Sequence, residues 1–380
     1  MDKRVKVMII FGTRPEAIKM APLIKELEKY PNLIDSKITV TAQHRQMLDQ
    51  VLGIFKIKPH YDLNVMKDCQ SLTEVTMSVL DGLNKVLNVE KPDLVLVHGD
   101  TTTAFVASLA AYYNQILVGH VEAGLRTWDR YSPFPEELNR QLTGIIANLH
   151  FSPTFWAKQN LIKENKNPNS IFVTGNTVID ALSMTVTKNF RHSVIEKIGH
   201  DKMILLTVHR RENLGNPMKK IFKAIKLLVN THRDVQVVYP VHLNPSVREV
   251  AYEILGNESR VHLIEPLGVV DFHNFISRAH IILTDSGGIQ EEAPSFGIPV
   301  LVLRNTTERP EGIEAGTLKL VGTNEEEIYK VTNELLINSF EYRKMANISN
   351  PYGDGQASYR IVQSILYYFG KTNQTPQEFI

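Results

Sequence analysis

The stretch VKVMIIFGTRPEA, residues 5–17, contains the pattern from which the fold can be predicted. An apolar run is followed by a short turn and then by helix-forming residues, with Pro15 suited to the first helical position. Similar apolar runs recur along the chain at residues 37–41, 94–97, 116–121, 149–151, 171–173, 203–208, 235–239, 261–264, 281–283, 300–303 and 318–321. Amphipathic segments separate them, and several are nearly continuous in Val, Ile and Leu, which is typical of strands buried on both faces. The sequence therefore predicts an α/β protein with parallel sheets covered by helices.

The chain has 380 residues, a length that favours two domains over one. A polar stretch at 188–202 separates two similar sets of strands. We therefore expect an N-terminal Rossmann-like domain at 1–175, a linker at 176–199 and a C-terminal Rossmann-like domain at 200–355. A helix predicted at 356–370 has one apolar stripe, and we expect it to pack back onto the first domain.

Charge and cysteine content exclude several classes of protein. Lys and Arg number 42 against 41 Asp and Glu, so no overall field attracts nucleic acid or an anionic membrane. No run approaches the roughly 18 apolar residues of a membrane span. The single cysteine, Cys69, excludes an internal disulfide and multi-cysteine metal sites, and it favours a cytoplasmic location.

Polar residues follow many of the predicted strands. These strand ends are Gly12-Thr13-Arg14-Pro15-Glu16, His98-Gly99-Asp100, Glu122-Ala123-Gly124, His209-Arg210-Arg211-Glu212, Pro240-Val241-His242 and Thr284-Asp285-Ser286-Gly287-Gly288. Ligands of open parallel sheets bind outside the carboxyl ends of the strands. Two domains facing a central cleft would thus form a site rich in Arg, His and carboxylates. For any one strand end, a solvated loop or a helix cap is the favoured interpretation, and only the six together favour a site.

Two of these turns are candidates for binding phosphate. The glycines after Ser286 let a ligand approach the amides of a helix N-terminus, and Glu291 or Glu292 could accept hydrogen bonds from a ribose. Arg14 and Lys19 could offset the charge of a diphosphate. The alternative interpretations are an ordinary helix cap in the first case and two exposed basic residues in the second.

The segment 132–140 is also ambiguous. Pro135 followed by two glutamates is a normal helix start, and Glu136 and Arg140 have the i,i+4 spacing of an ion pair. The preceding loop contains Trp128 and Phe134, which could line a pocket.

Several well-known motifs are absent from the sequence. It contains no G-x-G-x-x-G, no G-x-x-x-x-G-K-S/T, no G-x-S-x-G, no Asp-x-Asp and no H-E-x-x-H. These absences disfavour a dinucleotide enzyme, a Walker-type ATPase, an esterase and a metal-dependent glycosyltransferase.

With these motifs, the chain resembles the non-hydrolysing UDP-N-acetylglucosamine 2-epimerases over nearly its whole length. The matching segments are residues 11–22, 98–103, 120–127, 132–137, 173–180, 207–213, 285–294 and 304–310. The resemblance implies the two-domain glycosyltransferase-B fold. It also implies a cytoplasmic homodimer, without metal or bound NAD, that supplies UDP-N-acetylmannosamine for cell-surface polysaccharides.

The resemblance further implies functional residues. The catalytic positions match Asp100, Glu122, Glu136 and His209, and the positions that hold UDP match Arg14, Lys19, Ser286, Gly287, Glu292 and Arg309. In some bacterial members a second UDP-N-acetylglucosamine binds as an activator, at positions that match Gln43, Gln46, Arg210 and His242. An arginine often found near residues 66–68 is replaced by Cys69, and a thiol cannot make the bidentate contact of a guanidinium.

The chemistry of C2 favours one mechanism. No carbonyl acidifies its hydrogen, so we expect elimination of UDP to a glycal, followed by re-addition after protonation of the opposite face. Such a route needs acid and base groups on two faces of the sugar. A hydrolysing epimerase, a glycosyltransferase of the same fold and a non-catalytic nucleotide-sugar binding protein are the alternatives.

Overall fold

The computed structural model describes residues 3–42, 45–66 and 70–380, apart from the side chain of Gln46. These residues form two compact units. Unit 1 contains the described residues up to Met184 together with Tyr352–Ile380, and unit 2 is the continuous segment Thr185–Pro351.

Unit 1 is built on a parallel sheet, seven-stranded over the residues described. Its strands are β1 Val5–Phe11, β2 Ile34–Val40, β3 Tyr61–Asp62, β4 Leu94–His98, β5 Leu117–Val121, β6 Leu149–Ser152 and β7 Ile171–Val173. Their order in the sheet is β3-β2-β1-β4-β5-β6-β7, with every neighbouring pair parallel. Strands β2 and β3 are therefore added on one side of β1, and strands β4 to β7 are added on the other side.

Helices connect these strands. They are α1 Arg14–Leu27, α2 Arg45–Ile54, α3 Leu72–Glu90, α4 Thr102–Tyr113, α5 Glu136–Ile146, α6 Phe155–Lys163 and α7 Thr177–Thr185. On one face of the sheet, Met8 and Val97 belong to the same buried cluster as Leu83 of α3 and Ala107 of α4. The small side chains of α4 let this helix lie close to the strands.

Unit 2 has a parallel sheet that is six-stranded in the part of the chain described. Its elements are α8 Ser193–Ile198, β8 Lys202–Thr207, α9 Asn216–Thr231, β9 Val235–Pro240, α10 Pro245–Leu255, β10 Val261–Ile264, α11 Val269–Ile276, β11 Ile281–Thr284, α12 Gly287–Glu292, β12 Val300–Val302, α13 Pro310–Ala315, β13 Leu318–Leu320, α14 Glu325–Ile337 and α15 Ser339–Ala346. The strand order is β10-β9-β8-β11-β12-β13, and all pairs are parallel.

Both faces of the unit 2 sheet are covered. Along β8, Ile204 and Leu206 enter one buried cluster, whereas Met203 and Leu205 enter another. This alternation follows from the two-residue period of a strand. Between its polar ends, Lys202 and Thr207, this strand is therefore apolar at every position, as expected for burial on both faces.

The chain returns to unit 1 at its end. Helix α16, Ala357–Tyr368, packs against α1, and Ile361 and Ile365 are fully buried. The buried carboxylate of Asp180 accepts hydrogen bonds from Ala357 N (3.2 Å) and Ser358 N (2.7 Å) at the start of this helix. A side chain of α7 thus supplies the N-terminal cap of α16.

The structure confirms the predicted pair of parallel-sheet α/β domains. Strand β3 is an addition, because two residues at the edge of a sheet leave no apolar run in the sequence. The segment 176–199, predicted as a linker, contains α7 and α8, and the boundary between the units lies within it. Among the described residues, no helix is both long enough and apolar enough to cross a membrane.

Candidate active site

The strand order reverses once in each sheet, between β1 and β4 in unit 1 and between β8 and β11 in unit 2. At such a reversal the connections leave in opposite directions, and the carboxyl ends of the two strands form a crevice suited to a ligand. The predicted residues Arg14 and Asp100 follow β1 and β4, whereas His209 and Ser286 follow β8 and β11. Each unit therefore presents predicted site residues at its own reversal.

The turn after β1 is tightly packed. A Cβ on Gly12 would lie 2.1 Å from Thr41 Oγ1 and 2.7 Å from Thr103 Oγ1, so only glycine fits here. Thr13 caps α1, and Glu16 completes the capping box by accepting a hydrogen bond from Thr13 N at 2.8 Å.

Glu16 also joins the two loops at this reversal. Its carboxylate accepts hydrogen bonds from Gly12 N (3.1 Å) and from Thr101 Oγ1 (2.7 Å), the residue that caps α4. Burial raises the pKa of Glu16, and these hydrogen bonds oppose that effect. One buried carboxylate thus ties the turn carrying Arg14 to the loop carrying Asp100.

Arg14 lies in the first turn of α1 and is half-buried. Among the described residues, none accepts a hydrogen bond from its guanidinium. Burial lowers its pKa from the ordinary value, although an arginine stays protonated at neutral pH. A cation so placed is suited to an anionic ligand, as predicted for the diphosphate.

Asp100 is held by two neighbouring residues of α5. Arg140 Nη2 lies 2.6 Å from Asp100 Oδ2, and Asn139 Nδ2 donates to the main-chain oxygen of Asp100 at 3.0 Å. Burial raises the pKa of Asp100, whereas the charge of Arg140 lowers it. The charges of Glu122 and Glu136 raise the same pKa, so these carboxylates lie near enough to interact.

Glu122 follows β5 with φ of 63°, in the left-handed region that is strained for a glutamate. Its carboxylate forms an ion pair with Lys19 and accepts a hydrogen bond from Asn176 Nδ2 at 2.8 Å. Lys19 is predicted to hold UDP, but the structure places its ammonium against this carboxylate. Its role in nucleotide binding stays a prediction.

Glu136 begins α5 and is half-buried. Arg140, which could pair with it at i,i+4, contacts Asp100 and Glu137 instead. The carboxylate of Glu137 is fully buried and accepts hydrogen bonds from the backbone N–H groups of residues 127 and 128 at 3.0 and 3.1 Å. Trp128 and Phe134, predicted to line a pocket, are 54% and 61% exposed.

Three buried histidines lie within the neighbouring strands β4, β5 and β6. Burial lowers the pKa of His98 to about 4, of His120 to about 3 and of His150 to about 4. All three are therefore neutral near pH 7. His120 Nε2 lies 2.7 Å from the carbonyl of Gly99 and, as a donor, fixes the loop that precedes Asp100.

Asp285 organises the corresponding reversal in unit 2. This fully buried carboxylate accepts hydrogen bonds from His209 N (2.9 Å), Arg210 N (2.8 Å) and Asn213 Nδ2 (2.9 Å). His209 Nδ1 lies 3.3 Å from the other carboxylate oxygen. Burial lowers the pKa of His209, and Asp285 opposes this effect by favouring the charged ring.

The turn after β11 carries the other predicted nucleotide residues. A Cβ on Gly287 would lie 3.2 Å from Glu308 Oε1, so a side chain at the start of α12 would have to displace the end of the Glu308 side chain slightly. Arg309 pairs with the buried Glu291, and Glu292 Oε2 lies 3.6 Å from His273 Nε2. Direct contact of Arg309 and Glu292 with UDP stays a prediction.

Comparison with known proteins identifies the family. The family model for UDP-N-acetylglucosamine 2-epimerase matches residues 25–366. The chain belongs to the UDP-N-acetylglucosamine 2-epimerase family. Its relative from Bacillus subtilis (strain 168), a UDP-N-acetylglucosamine 2-epimerase, is 65% identical over 377 residues, covering 99% of each chain.

Solved structures of 2-epimerases agree with this assignment. One crystal structure of a UDP-N-acetylglucosamine 2-epimerase has a TM-score of 0.93 at 63% identity and covers 100% of both chains. The Neisseria meningitidis enzyme, bound to UDP-GlcNAc, has a TM-score of 0.86 at 52% identity, covering 95% of this chain and 100% of its own. The resemblance to this family is therefore confirmed.

The activator residues implied by the 2-epimerase resemblance are only partly described. Gln43, Cys69 and the side chain of Gln46 lie outside the described residues. Arg210 Nη2 lies 3.5 Å from Glu308 Oε1, and the exposed His242 stacks on His209 with ring centroids 5.6 Å apart. Within unit 2, one predicted activator residue thus touches one predicted catalytic residue.

Some organising residues of the 2-epimerase site were not predicted. Glu16 could have been found, since the Thr13-x-x-Glu16 spacing is that of a capping box. Arg140 and Asn176 bind carboxylates that are 40 and 54 residues away in the chain. No local pattern indicates partners at such separations.

Proposed function

We propose that this chain catalyses the reversible epimerisation of UDP-N-acetylglucosamine at C2 to UDP-N-acetylmannosamine without hydrolysing it. The observation that carries the proposal is the pair of carboxylates after β4 and β5, Asp100 and Glu122, each bound to a cation. They occur in a chain that matches 2-epimerases over 99% of its length. Such carboxylates can serve proton transfer at neighbouring positions of one sugar.

The proposed reaction has two steps. In the first, a carboxylate removes the C2 proton while the C1–O bond breaks, and the electron pair of that bond leaves with UDP. In the second, a protonated group delivers a proton to the other face of C2, and a phosphate oxygen of UDP re-forms the bond to C1. Asp100, Glu122 and Glu136 are the proposed acid, base and orienting groups.

The departing UDP develops negative charge that the protein must stabilise. We assign this role to Arg14, to the amides of Ser286 and Gly287 and to His209. Arg14 is suited to it because no described carboxylate neutralises its guanidinium. His209 is suited because a ring N–H can donate a hydrogen bond in either charge state, while burial lowers the pKa of the ring and Asp285 opposes that effect. We propose that Lys19, Glu292 and Arg309 also help to hold the nucleotide, either by direct contact or by positioning neighbouring residues.

The proposal extends to the state of the protein in the cell. We infer a cytoplasmic homodimer that supplies UDP-N-acetylmannosamine for cell-surface polysaccharides. A second UDP-N-acetylglucosamine is proposed to act as an activator through Gln43, Gln46, Arg210 and His242. The supporting observation is the contact of His242 with His209.

One incubation tests the reaction. The protein is mixed with UDP-N-acetylglucosamine alone in heavy water, and the products are identified by chromatography and proton NMR. We expect UDP-N-acetylmannosamine with deuterium at C2. Free N-acetylmannosamine with UDP would instead indicate a hydrolysing enzyme, and epimerisation with full retention of the C2 hydrogen would exclude elimination.

A further inference from the structure

Arg140 has no assigned role in the reaction proposed above. Its side chain is 11% exposed and lies on α5, four residues after Glu136. Nη2 is 2.6 Å from Asp100 Oδ2, and Nη1 is 3.5 Å from Glu137 Oε2. We propose that Arg140 is a positioning residue that keeps Asp100 in its carboxylate form and in one orientation during epimerisation. This inference rests on the proposed function.

The kind of cation matters for this role. An arginine cannot be deprotonated in a protein, so the proton that Asp100 takes up must come from elsewhere, as from C2 of the substrate. The counter-ion of Glu122 is instead a lysine, whose ammonium is a compact point charge without the planar fork of a guanidinium. The two carboxylates therefore have chemically different counter-ions.

The surroundings of Asp100 make a counter-ion necessary. Burial disfavours its charged form, and the carboxylates of Glu122 and Glu136 disfavour it further. The charged groups that act against these effects are Arg140 of α5 and Lys19 of α1. Among the described residues, Arg140 is the cation that hydrogen-bonds the Asp100 carboxylate, so its removal leaves that carboxylate with two negative neighbours and the weaker effect of Lys19.

The same helix also fixes where Asp100 lies. Asn139 holds its main-chain oxygen at 3.0 Å, while His120 Nε2 holds the preceding carbonyl, that of Gly99, at 2.7 Å. Since Arg140 holds the side chain from the next position of α5, main chain and side chain are anchored together. A displacement of about 1 Å at a reacting group can cost 10²-fold in rate.

The test uses the full-length variants Arg140→Met, Arg140→Gln and Arg140→Lys. The rate of epimerisation of UDP-N-acetylglucosamine is measured across pH, and kcat and KM are separated. For Arg140→Met and Arg140→Gln we expect kcat to fall about 10²-fold with little change in KM. We also expect the acid limb of kcat/KM to move to higher pH, because an uncompensated Asp100 takes up its proton more readily. Arg140→Lys retains the positive charge. We therefore expect the acid limb of its kcat/KM profile to stay near that of the wild type, and its kcat to be intermediate.

A matched control separates this role from loss of a buried ion pair. Arg126 is another buried arginine of unit 1, bound to Glu164 at 2.6 and 2.9 Å. Arg126→Met should lower the unfolding temperature but leave the acid limb in place. At position 140, the Arg140→Gln variant keeps a hydrogen-bond donor. It therefore serves as the test if Arg140→Met does not fold.

The outcomes distinguish the two proposals. A wild-type protein that does not turn over UDP-N-acetylglucosamine overturns the proposed function. An active wild type, with Arg140→Gln folded and its acid limb unmoved, overturns only the role of Arg140. A shift of equal size in Arg126→Met would also overturn it.

Discussion

The buried and half-buried carboxylates of this molecule fall into two groups, according to the residues that surround them. Glu16 and Asp285 accept several backbone or side-chain hydrogen bonds and hold loops together. Asp100 and Glu122 each face a cation, and Glu136 lies in the first turn of a helix with no hydrogen-bonded partner among the described residues. The carboxylates of the second group face a cation or begin a helix rather than tying loops together, which is why the acid and base roles are proposed there.

Neutralising these carboxylates should remove turnover. We expect Asp100→Asn, Glu122→Gln and Glu136→Gln each to lower kcat about 10²- to 10⁴-fold, because each removes one proton-transfer or orienting group. The measurement is epimerisation followed by chromatography. Asp81→Asn, at an exposed ion pair on α3, is the control and should keep full activity. Near-normal turnover in all three folded variants would show that the assignment is wrong.

Gly12 gives a prediction at the same scale. Gly12→Ala adds a methyl group 2.1 Å from Thr41 Oγ1 and should displace the turn that carries Arg14. We expect an increase in KM for UDP-N-acetylglucosamine and a lower unfolding temperature, measured by steady-state kinetics and by circular dichroism. Gly53→Ala is the control, since a Cβ there has no neighbour within 4 Å and the residue lies in a helix. Equal behaviour of the two variants would contradict the packing argument.

At the scale of elements, α16 depends on a residue that lies far away in the sequence. Gln356, the residue at its N-cap, makes no side-chain cap, and Asp180 of α7 supplies the acceptor instead. A second contact lies nearby, since Asn176 N donates to Tyr352 O at 2.7 Å. The segment that leaves unit 1 and the segment that returns to it are thus hydrogen-bonded to each other. The helix is held by polar contacts at its start as well as by its apolar stripe.

Asp180→Asn should therefore destabilise unit 1. Asparagine keeps one acceptor oxygen, but its N–H₂ would face one of the two N–H groups that now donate to the carboxylate, at a cost of about 1–3 kcal/mol in the free energy of unfolding. Urea denaturation followed by circular dichroism measures this change. Asp81→Asn should change the free energy by less than about 0.5 kcal/mol, as is usual for exposed ion pairs. A similar small change in both variants would show that Asp180 is dispensable as a cap.

The buried histidines of β4, β5 and β6 predict a dependence of stability on pH. Their folded-state pKa values, about 4, 3 and 4, lie below the ordinary 6.5, so below pH 6.5 the unfolded chain binds more protons. Stability should fall as the pH drops from 6.5 towards about 4, by about 1.4 kcal/mol per pH unit for each histidine.

His150→Gln should reduce this slope. Urea unfolding at several pH values between 4 and 6.5 gives the measurement. His200→Gln is the control, since His200 is exposed and its replacement should leave the slope unchanged. An unchanged slope in His150→Gln would mean that His150 is protonated in the folded protein.

At the scale of the whole molecule, the sequence predicts the strands and helices better than it predicts which side chains contact one another. The apolar run at 5–11 coincides with β1, and that at 281–283 lies within β11, because strands buried on both faces admit few polar residues. Candidate site residues could be found for a similar reason, since they follow those runs directly. Their partners could not: Lys19 meets Glu122 only after α1 and β5 have been placed by the fold.

The division into units gives a further prediction. Residues 185–351 form a continuous segment with its own sheet and a buried cluster on each face. We expect this segment, expressed alone, to fold and to bind UDP without catalysing epimerisation, since Asp100 and Glu122 are missing. Circular dichroism and titration calorimetry measure folding and binding. Gly287→Val in the same segment should abolish binding, and an unfolded segment would contradict its independence.

The final return of the chain also sets an order of maturation on the ribosome. Unit 2 is fully synthesised while unit 1 still lacks Tyr352–Ile380. Until this segment emerges, the face of α1 that α16 covers stays open, and Asp180 has no helix to cap. The half of the protein encoded first is thus finished last, and its nascent form exposes apolar surface of the kind that chaperones bind. A message truncated near its end would then yield a chain with a complete unit 2 and an incomplete unit 1.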